Sequence, residues 1–304
     1  MHLLSLFTVL PLLAIDINID PVMWEAGPFT LTWHGFFTAV GILAGVSLSV
    51  FLCKKDGIPT EVAQEIALVA VPCAIVGARL FYVFEHWSRF SGSPQTIVTD
   101  ITEGGITLYG GLIGGVLGGL VYALWRKWPI AITLDSAAAG MVLGQAIGRI
   151  GDLINGEHRA DATSLPWAVR YVHPNTLGDL NVAVHPTAGG YELIGDLFIL
   201  ALLLFVFRRI IRTPGWVFCI YVGLYGLMRF PLSYTRQDEA KVGDVPVPQL
   251  VAAVTIGLAI LCASILARWP GPITREWFDR VKPNRGREGS DDGEPPAGKR
   301  AATT

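Results

Sequence analysis

Apolar residues along this chain gather into seven stretches, each near the roughly 20 residues that a helix needs to cross a bilayer. They cover 34–53, 62–84, 106–125, 130–147, 191–207, 215–235 and 248–267. This pattern predicts an all-α integral membrane protein, a bundle of seven transmembrane helices with a small external head segment, as one domain over 34–267. The head is the interval 148–190, rich in Pro, His, Asp and Arg, where Trp167, Val169, Tyr171 and Val172 suggest a short strand or packed cap. Residues 1–33 form an external N-terminal segment. Its first fifteen residues are apolar but lack the basic start of a signal peptide, so an interfacial helix is expected, with an uncleaved signal or a misassigned start as alternatives. From 268 to 304 the composition turns to Pro, Gly and charge, which predicts a disordered cytoplasmic tail.

Composition sharpens this picture. Hydrophobic residues make up 52% of the chain and charged ones only 16%, a balance that excludes an ordinary soluble domain of 304 residues. With the N-terminus outside, fifteen lysines and arginines fall on the cytoplasmic side, eight of them in the tail, against six outside. The net charge of −2 gives no reason to expect a nucleic-acid partner. Cys53, Cys73, Cys219 and Cys262 lie within or at the ends of spans, show no disulfide framework or zinc spacing, and read as small buried apolar residues.

Charges inside spans are costly and therefore informative. Glu65, Arg79, Asp135, Asp196 and Arg229 lie within or near the hydrocarbon region. Taken singly, each reads as structural, paired with another charge or, for Arg79 and Arg229, snorkelling to the interface. Their placement together points to chemistry: Arg79, Arg149, Arg229 and Arg236 fall at the outer ends of spans, as do His34 and Tyr109. The densest group is GRIGDLINGE at 148–157, with an arginine, two further acids and an asparagine directly after an apolar stretch. A cation at the mouth of an apolar bundle meets lipid phosphates. Glycine pairs at 110/111, 114/115 and 118/119 make a smooth packing stripe, and no Lys-Ser/Thr follows to suggest a phosphate loop. Glycines flanking Tyr109 also leave room for a ligand near the backbone. His158, His173 and His185 lack the spacing of a metal site, so no metal is expected.

GRIGDLINGE resembles the signature of the bacterial phosphatidylglycerol:prolipoprotein diacylglyceryl transferases, and the resemblance runs from about Asp20 to the end of the seventh stretch. It includes DPV at 20–22, GP at 27–28, WHG at 33–35, GAR at 77–79, GGITLYGGLIGG at 104–115, HPT with YE near 185–192, and RF followed by RQD at 229–238. Arg79, Arg149, Asn155, Gly156, Glu157 and Arg236 match the family pattern. Departures fall among the functional positions. His34 stands where the family has tyrosine and Tyr109 where it has the histidine of an HGG motif; Asp152 replaces asparagine, Ala160 a glycine and Ser233 an acid. One extra residue precedes Tyr191.

The resemblance implies seven transmembrane helices with an external head in the bacterial inner membrane, and neither a metal nor an organic cofactor. It implies transfer of diacylglyceryl from phosphatidylglycerol to the lipobox cysteine of prolipoproteins, so the partners are that lipid, lipobox peptides and membrane lipids. Arg149 and Arg236 would hold the headgroup phosphate, with Asp152, Asn155 and Arg79 as further substrate-binding residues. Glu157 would orient an arginine or shape the loop, and His34 with Tyr109 would replace the usual acid/base pair. A free thiol has a pKa of about 8.5, so a base or positive surroundings must help to ionise it. Asp152 either pairs with Arg149 or acts as a new base near the thiol. Two other readings are a catalytically divergent paralogue acting as a lipid-binding or accessory membrane protein, and a transporter, against which no inverted repeat is seen.

Overall fold

The computed structural model describes residues 14–27, 29–93, 95–99, 105, 107–237, 241–242 and 245–268. Three strands come first, β1 (Ile15–Ile17), β2 (Val22–Ala26) and β3 (Phe29–Thr32). Then follow α1 (Trp33–Lys55), α2 (Thr60–Glu85), the short α3 (Trp87–Phe90) and α4 (Thr96–Thr99), α5 (Leu108–Trp125) and α6 (Ile130–Asn155). Strands β4 (Val169–Tyr171) and β5 (Ala183–Val184) precede an irregular helical rod. In that rod a π turn (Thr187–Glu192), α7 (Leu193–Leu202), a second π turn (Leu203–Phe207) and α8 (Arg208–Ile210) run into one another. After it come α9 (Trp216–Leu232), β6 (Lys241–Val242), β7 (Val245–Pro246) and α10 (Val247–Arg268).

Among the described residues, five helical segments are long and apolar enough to cross a membrane: Trp33–Lys55, Thr60–Glu85, Ile130–Asn155, Trp216–Thr235 and Val247–Ala267. The fold is that of a helical membrane protein. Within the stretch 106–125 lies a shorter helix, Leu108–Trp125, with its apolar run at Gly110–Trp125, and 191–207 is helical but broken by π turns. α6 continues through Asn155, so residues 148–155 of GRIGDLINGE form the last turns of a helix and Gly156 caps it. Residues 1–13, where an interfacial helix is expected, and the tail from 269 lie outside the described residues.

Glycine sets the helix contacts. A Cβ on Gly45 would lie 2.5 Å from the Gly140 carbonyl oxygen, and one on Gly41 would lie 2.6 Å from that of Gly144, so the α1 and α6 backbones touch. On the other seam a Cβ on Gly77 of α2 would sit 2.5 Å from the Gly110 carbonyl, and one on Gly118 of α5 would sit 2.5 Å from Cys73 Cβ. The 110/114/118 stripe is thus a packing surface. Gly45→Ala is expected to destabilise the protein by about 1–3 kcal/mol because two backbones must separate. Gly111→Ala, whose Cβ meets nothing closer than 3.5 Å, should be neutral or slightly stabilising through helix propensity. Unfolding both variants in detergent against the parent checks the contrast.

Three of the charges within spans do structural work. Asp135 accepts hydrogen bonds from the Gly215 amide at 2.7 Å and the Phe218 amide at 2.9 Å, capping the α9 N-terminus from another helix. Glu65 accepts a hydrogen bond from the Tyr122 hydroxyl at 2.7 Å and pairs with Arg126 at 3.4 Å. Arg79 donates to the carbonyls of Ile97 and Gly105, both at 2.9 Å, and of Thr96 at 3.3 Å, and so ties the segment that leads into α5. Asp196 and Arg229 lie near the other end of the bundle, with the signature.

The head is a small sheet in the order β1-β4-β5, with β1 parallel and β5 antiparallel to β4. Ala160, Val169, Tyr171 and Val184 form its core, packed on Leu153 of α6. Burial pushes the Tyr171 phenol up to about 12. A forked pair from Arg170 to Asp16, at 2.7 and 2.8 Å, ties β1 to β4 and holds the Asp16 carboxyl below its ordinary range.

Candidate active site

His34 sits in the first turn of α1, a helix whose N-cap is the Thr32 side chain accepting from the Gly35 amide at 3.1 Å. A Cβ on Gly151 would fall 2.6 Å from His34 Cα, so only glycine at 151 lets this turn rest against α6. The contact brings His34 Nδ1 within 2.7 Å of Asp152 Oδ1. At Gly156 the chain turns left-handed, with φ +71°, and its amide caps the helix on the Asp152 carbonyl at 3.0 Å. That reversal returns Glu157 to the same imidazole, with Oε1 2.8 Å from Nδ1. Both neighbours of Nδ1 are carboxylates, which accept, so Nδ1 is the donor in this contact.

His34, Asp152 and Glu157 offer ligand atoms within 4.8 Å of one another, close enough for a single cation. The 2.7 and 2.8 Å contacts to His34 Nδ1 have the lengths of charge-assisted hydrogen bonds.

Deeper in the protein, three arginines meet one carboxylate. Arg149 reaches Asp152 Oδ2 through Nη1 at 2.7 Å and Glu192 Oε2 through Nη2 at 2.5 Å. Arg229 Nη1 lies 2.8 Å from Glu192 Oε1, and Arg236 Nη1 approaches the same oxygen at 3.6 Å. Arg236 also donates from Nη2 to His158 Nδ1 at 2.8 Å, which leaves the His158 proton on Nε2, 3.5 Å from Asp152 Oδ2. Glu192 ends a π turn in which the Tyr191 amide bonds five residues back to the Pro186 carbonyl at 2.8 Å. Arg236 is positioned by a bridge pairing it with Ala160 of the head. The His34 side chain is 43% exposed, whereas Arg149 is 16% exposed and Asp152 and Glu192 are buried.

Of the residues singled out in the sequence, His34, Arg149, Asp152, Glu157 and Arg236 join this one network. Asn155 is buried beside it, and its side-chain oxygen has no hydrogen-bond partner among the described residues. Arg79 is engaged at the α2–α5 connection described above. Tyr109 falls in the first turn of α5, and its side chain lies outside the described residues. Glu192 and His158 are not among the site residues expected from the sequence, and Arg229 enters there as one of four arginines at the outer ends of spans, with no role assigned.

The family model for prolipoprotein diacylglyceryl transferase matches residues 21–265. The chain belongs to the prolipoprotein diacylglyceryl transferase family. Relatives named phosphatidylglycerol–prolipoprotein diacylglyceryl transferase include one from Trichormus variabilis, 34% identical over 274 residues, covering 86% of this chain and 96% of the relative. Another, from Gloeobacter violaceus, is 36% identical over 241 residues, covering 78% and 89%. A third, from Clostridioides difficile, is 32% identical over 238 residues, covering 78% and 92%.

Within this transferase family pattern, the departures acquire local reasons. Asp152, in place of asparagine, is the group that grips His34, in place of tyrosine, so the two changes are partners across one hydrogen bond. The Ala160 methyl is buried in the head core. Ser233 is buried and donates to the Phe230 carbonyl at 2.8 Å. The extra residue before Tyr191 falls beside a π turn, which accommodates one residue more than an α turn and still delivers Glu192 to the arginines.

Proposed function

We propose that this chain transfers the diacylglyceryl group of phosphatidylglycerol to the lipobox cysteine thiol of prolipoproteins, in the bacterial inner membrane. The observation that carries the reading is the convergence of Arg149, Arg229 and Arg236 on Glu192 at the end of the bundle where the head sits. Three guanidiniums held by one carboxylate form a ready site for a phosphodiester, which takes the place of Glu192 on at least one of them. Asp152 joins this site to the proton-handling corner, one oxygen on Arg149 and the other on His34. The thiol sulfur attacks the glyceryl carbon, the carbon–oxygen bond to phosphate breaks, and glycerol phosphate leaves on the arginines. His34 Nε2 takes the thiol proton while Asp152 and Glu157 hold the resulting imidazolium. The greater exposure of His34 suits this division, with the peptide arriving at His34 and the lipid phosphate lying deeper.

In this reading Arg149, Arg236, Asp152 and Asn155 surround the lipid headgroup, Arg229 and Glu192 join them, and Arg79 acts at a distance by fixing the approach to α5 and Tyr109. All seven apolar stretches cross the membrane, with the N-terminus outside and the tail in the cytoplasm, as the lysine and arginine distribution supports. Incubation of the purified protein with phosphatidylglycerol and a lipobox peptide is expected to yield lipidated peptide and glycerol phosphate in equal amounts. The Arg149→Ala variant should fall to background. No product above that control, with lipid still bound, would leave a binding protein.

The His34–Asp152 partnership makes its own prediction. Replacing either residue by the one the family pattern carries, His34→Tyr or Asp152→Asn, removes the charge-assisted character of the pair, so each single variant should lose activity. The double variant is expected to recover part of it, with a coupling of about 1–3 kcal/mol in transition-state free energy. Additive losses in kcat/KM would show the two positions acting independently.

A further inference from the structure

Asp196 lies in α7 with none of its surface exposed, and neither carboxylate oxygen has a hydrogen-bond partner among the described residues. Buried carboxyl groups are normally satisfied, because an unmatched one costs several kcal/mol. The residue stands four positions after Glu192, about 6 Å further along the helical rod and roughly one turn away. Its electrostatic neighbours are Arg149 and Glu192. Two acceptor oxygens with no donor from the chain therefore sit one turn beyond the arginines assigned to a lipid phosphate.

Resting on the phosphatidylglycerol reading above, we propose that Asp196 is a specificity-determining residue that accepts hydrogen bonds from the free hydroxyls of the glycerol headgroup. A phosphate that enters the arginine site displaces the Glu192 carboxylate, and the space this opens is the space adjoining Asp196. The glycerol attached to that phosphate is three carbons long, carries two hydroxyl donors and reaches about one helical turn. A headgroup of the same charge and length without hydroxyls leaves Asp196 unmatched and is rejected.

The test offers phosphatidylglycerol and phosphatidylpropanol in equal amounts in mixed vesicles, and reads both the lipid retained on the purified protein by mass spectrometry and the transfer to a lipobox peptide. The parent protein should prefer phosphatidylglycerol by one to two orders of magnitude. Asp196→Ala should bring the ratio close to one while phosphatidylpropanol is still bound, and Asp196→Asn, which keeps an acceptor, should give an intermediate ratio. A parent ratio near one overturns the assignment, as does a parent-like ratio in Asp196→Ala with both lipids weakened equally, the mark of a merely structural role. If the alanine variant does not fold, an unchanged ratio in Asp196→Asn overturns it and a reduced one supports it. Because retained lipid is measured apart from transfer, absence of lipidated peptide counts against the transferase reading while the retention ratio still decides the role of Asp196.

Discussion

Glu192→Ala is expected to be the most destabilising single truncation in the site, by about 3–5 kcal/mol, because it leaves three guanidiniums facing one another without their common counter-charge. The argument turns on burial. Glu192 has no exposed surface, and the side chains of Arg149, Arg229 and Arg236 are 16%, 14% and 8% exposed, so water cannot replace the lost carboxylate cheaply. An exposed pair of the same geometry would contribute about 1 kcal/mol or less. Glu192→Gln keeps the volume and one acceptor and should cost less than the alanine variant, while Glu192→Ala combined with Arg229→Ala should recover part of the loss by removing one stranded cation. Detergent unfolding of the three variants against the parent gives the order. An alanine variant within 1 kcal/mol of the parent would mean that the arginines are solvated or paired elsewhere, and the phosphate site would lose its organising group.

How much of this was legible beforehand differs by type of interaction. Local chemistry along the chain was readable. The apolar stretches mark the helices, the glycine repeat at 110–119 marks a close helix seam, and Val169 and Tyr171 mark the head strand. Of the two readings of Asp152, partner of Arg149 or a base near the thiol, the first matches a 2.7 Å contact between residues three apart on one helix. Glu192 was invisible because it stands at the start of an apolar stretch, and its partners are 43, 37 and 44 residues away along the chain. No periodicity encodes such a meeting. It depends on the π turn that aims Glu192 and on the bridge that pairs Ala160 with Arg236.

The C-terminal end of α6 shows the same limit from the other side. Polar residues at 149, 152 and 155 look like the end of a membrane segment, yet Arg149 and Asp152 stay helical because their partners come from other elements. His34 arrives from α1 and Glu192 from the π turn, so Arg149 and Asp152 find their partners within the protein. Arg79 is the converse case. It looked like a phosphate ligand by residue type and position, but backbone carbonyls between 96 and 105 occupy its donors. Tertiary partners, not the residue types, separate these two arginines.

His34→Gln carries the largest expected effect on chemistry: transfer should fall by about 10²–10⁴ while binding of phosphatidylglycerol is unchanged. Glutamine can still meet Asp152 or Glu157 with an amide N–H, so the polar contact at the α1–α6 junction has a substitute, but it offers no basic nitrogen at the Nε2 position. The thiol then depends on its own ionisation, which the carboxylates of Asp152 and Glu157 oppose rather than assist. Raising the pH should therefore restore part of the lost rate in His34→Gln more steeply than in the parent, because hydroxide supplies the thiolate that the imidazole otherwise generates. Glu157→Gln should give a smaller loss, since Asp152 alone can still hold the Nδ1 proton at 2.7 Å. The measurements are single-turnover lipidation of a lipobox peptide across pH 6–9 and lipid retention in parallel. Full turnover in His34→Gln, or a matching loss of lipid binding, would remove His34 from the proton transfer and return that role to Tyr109 at the start of α5.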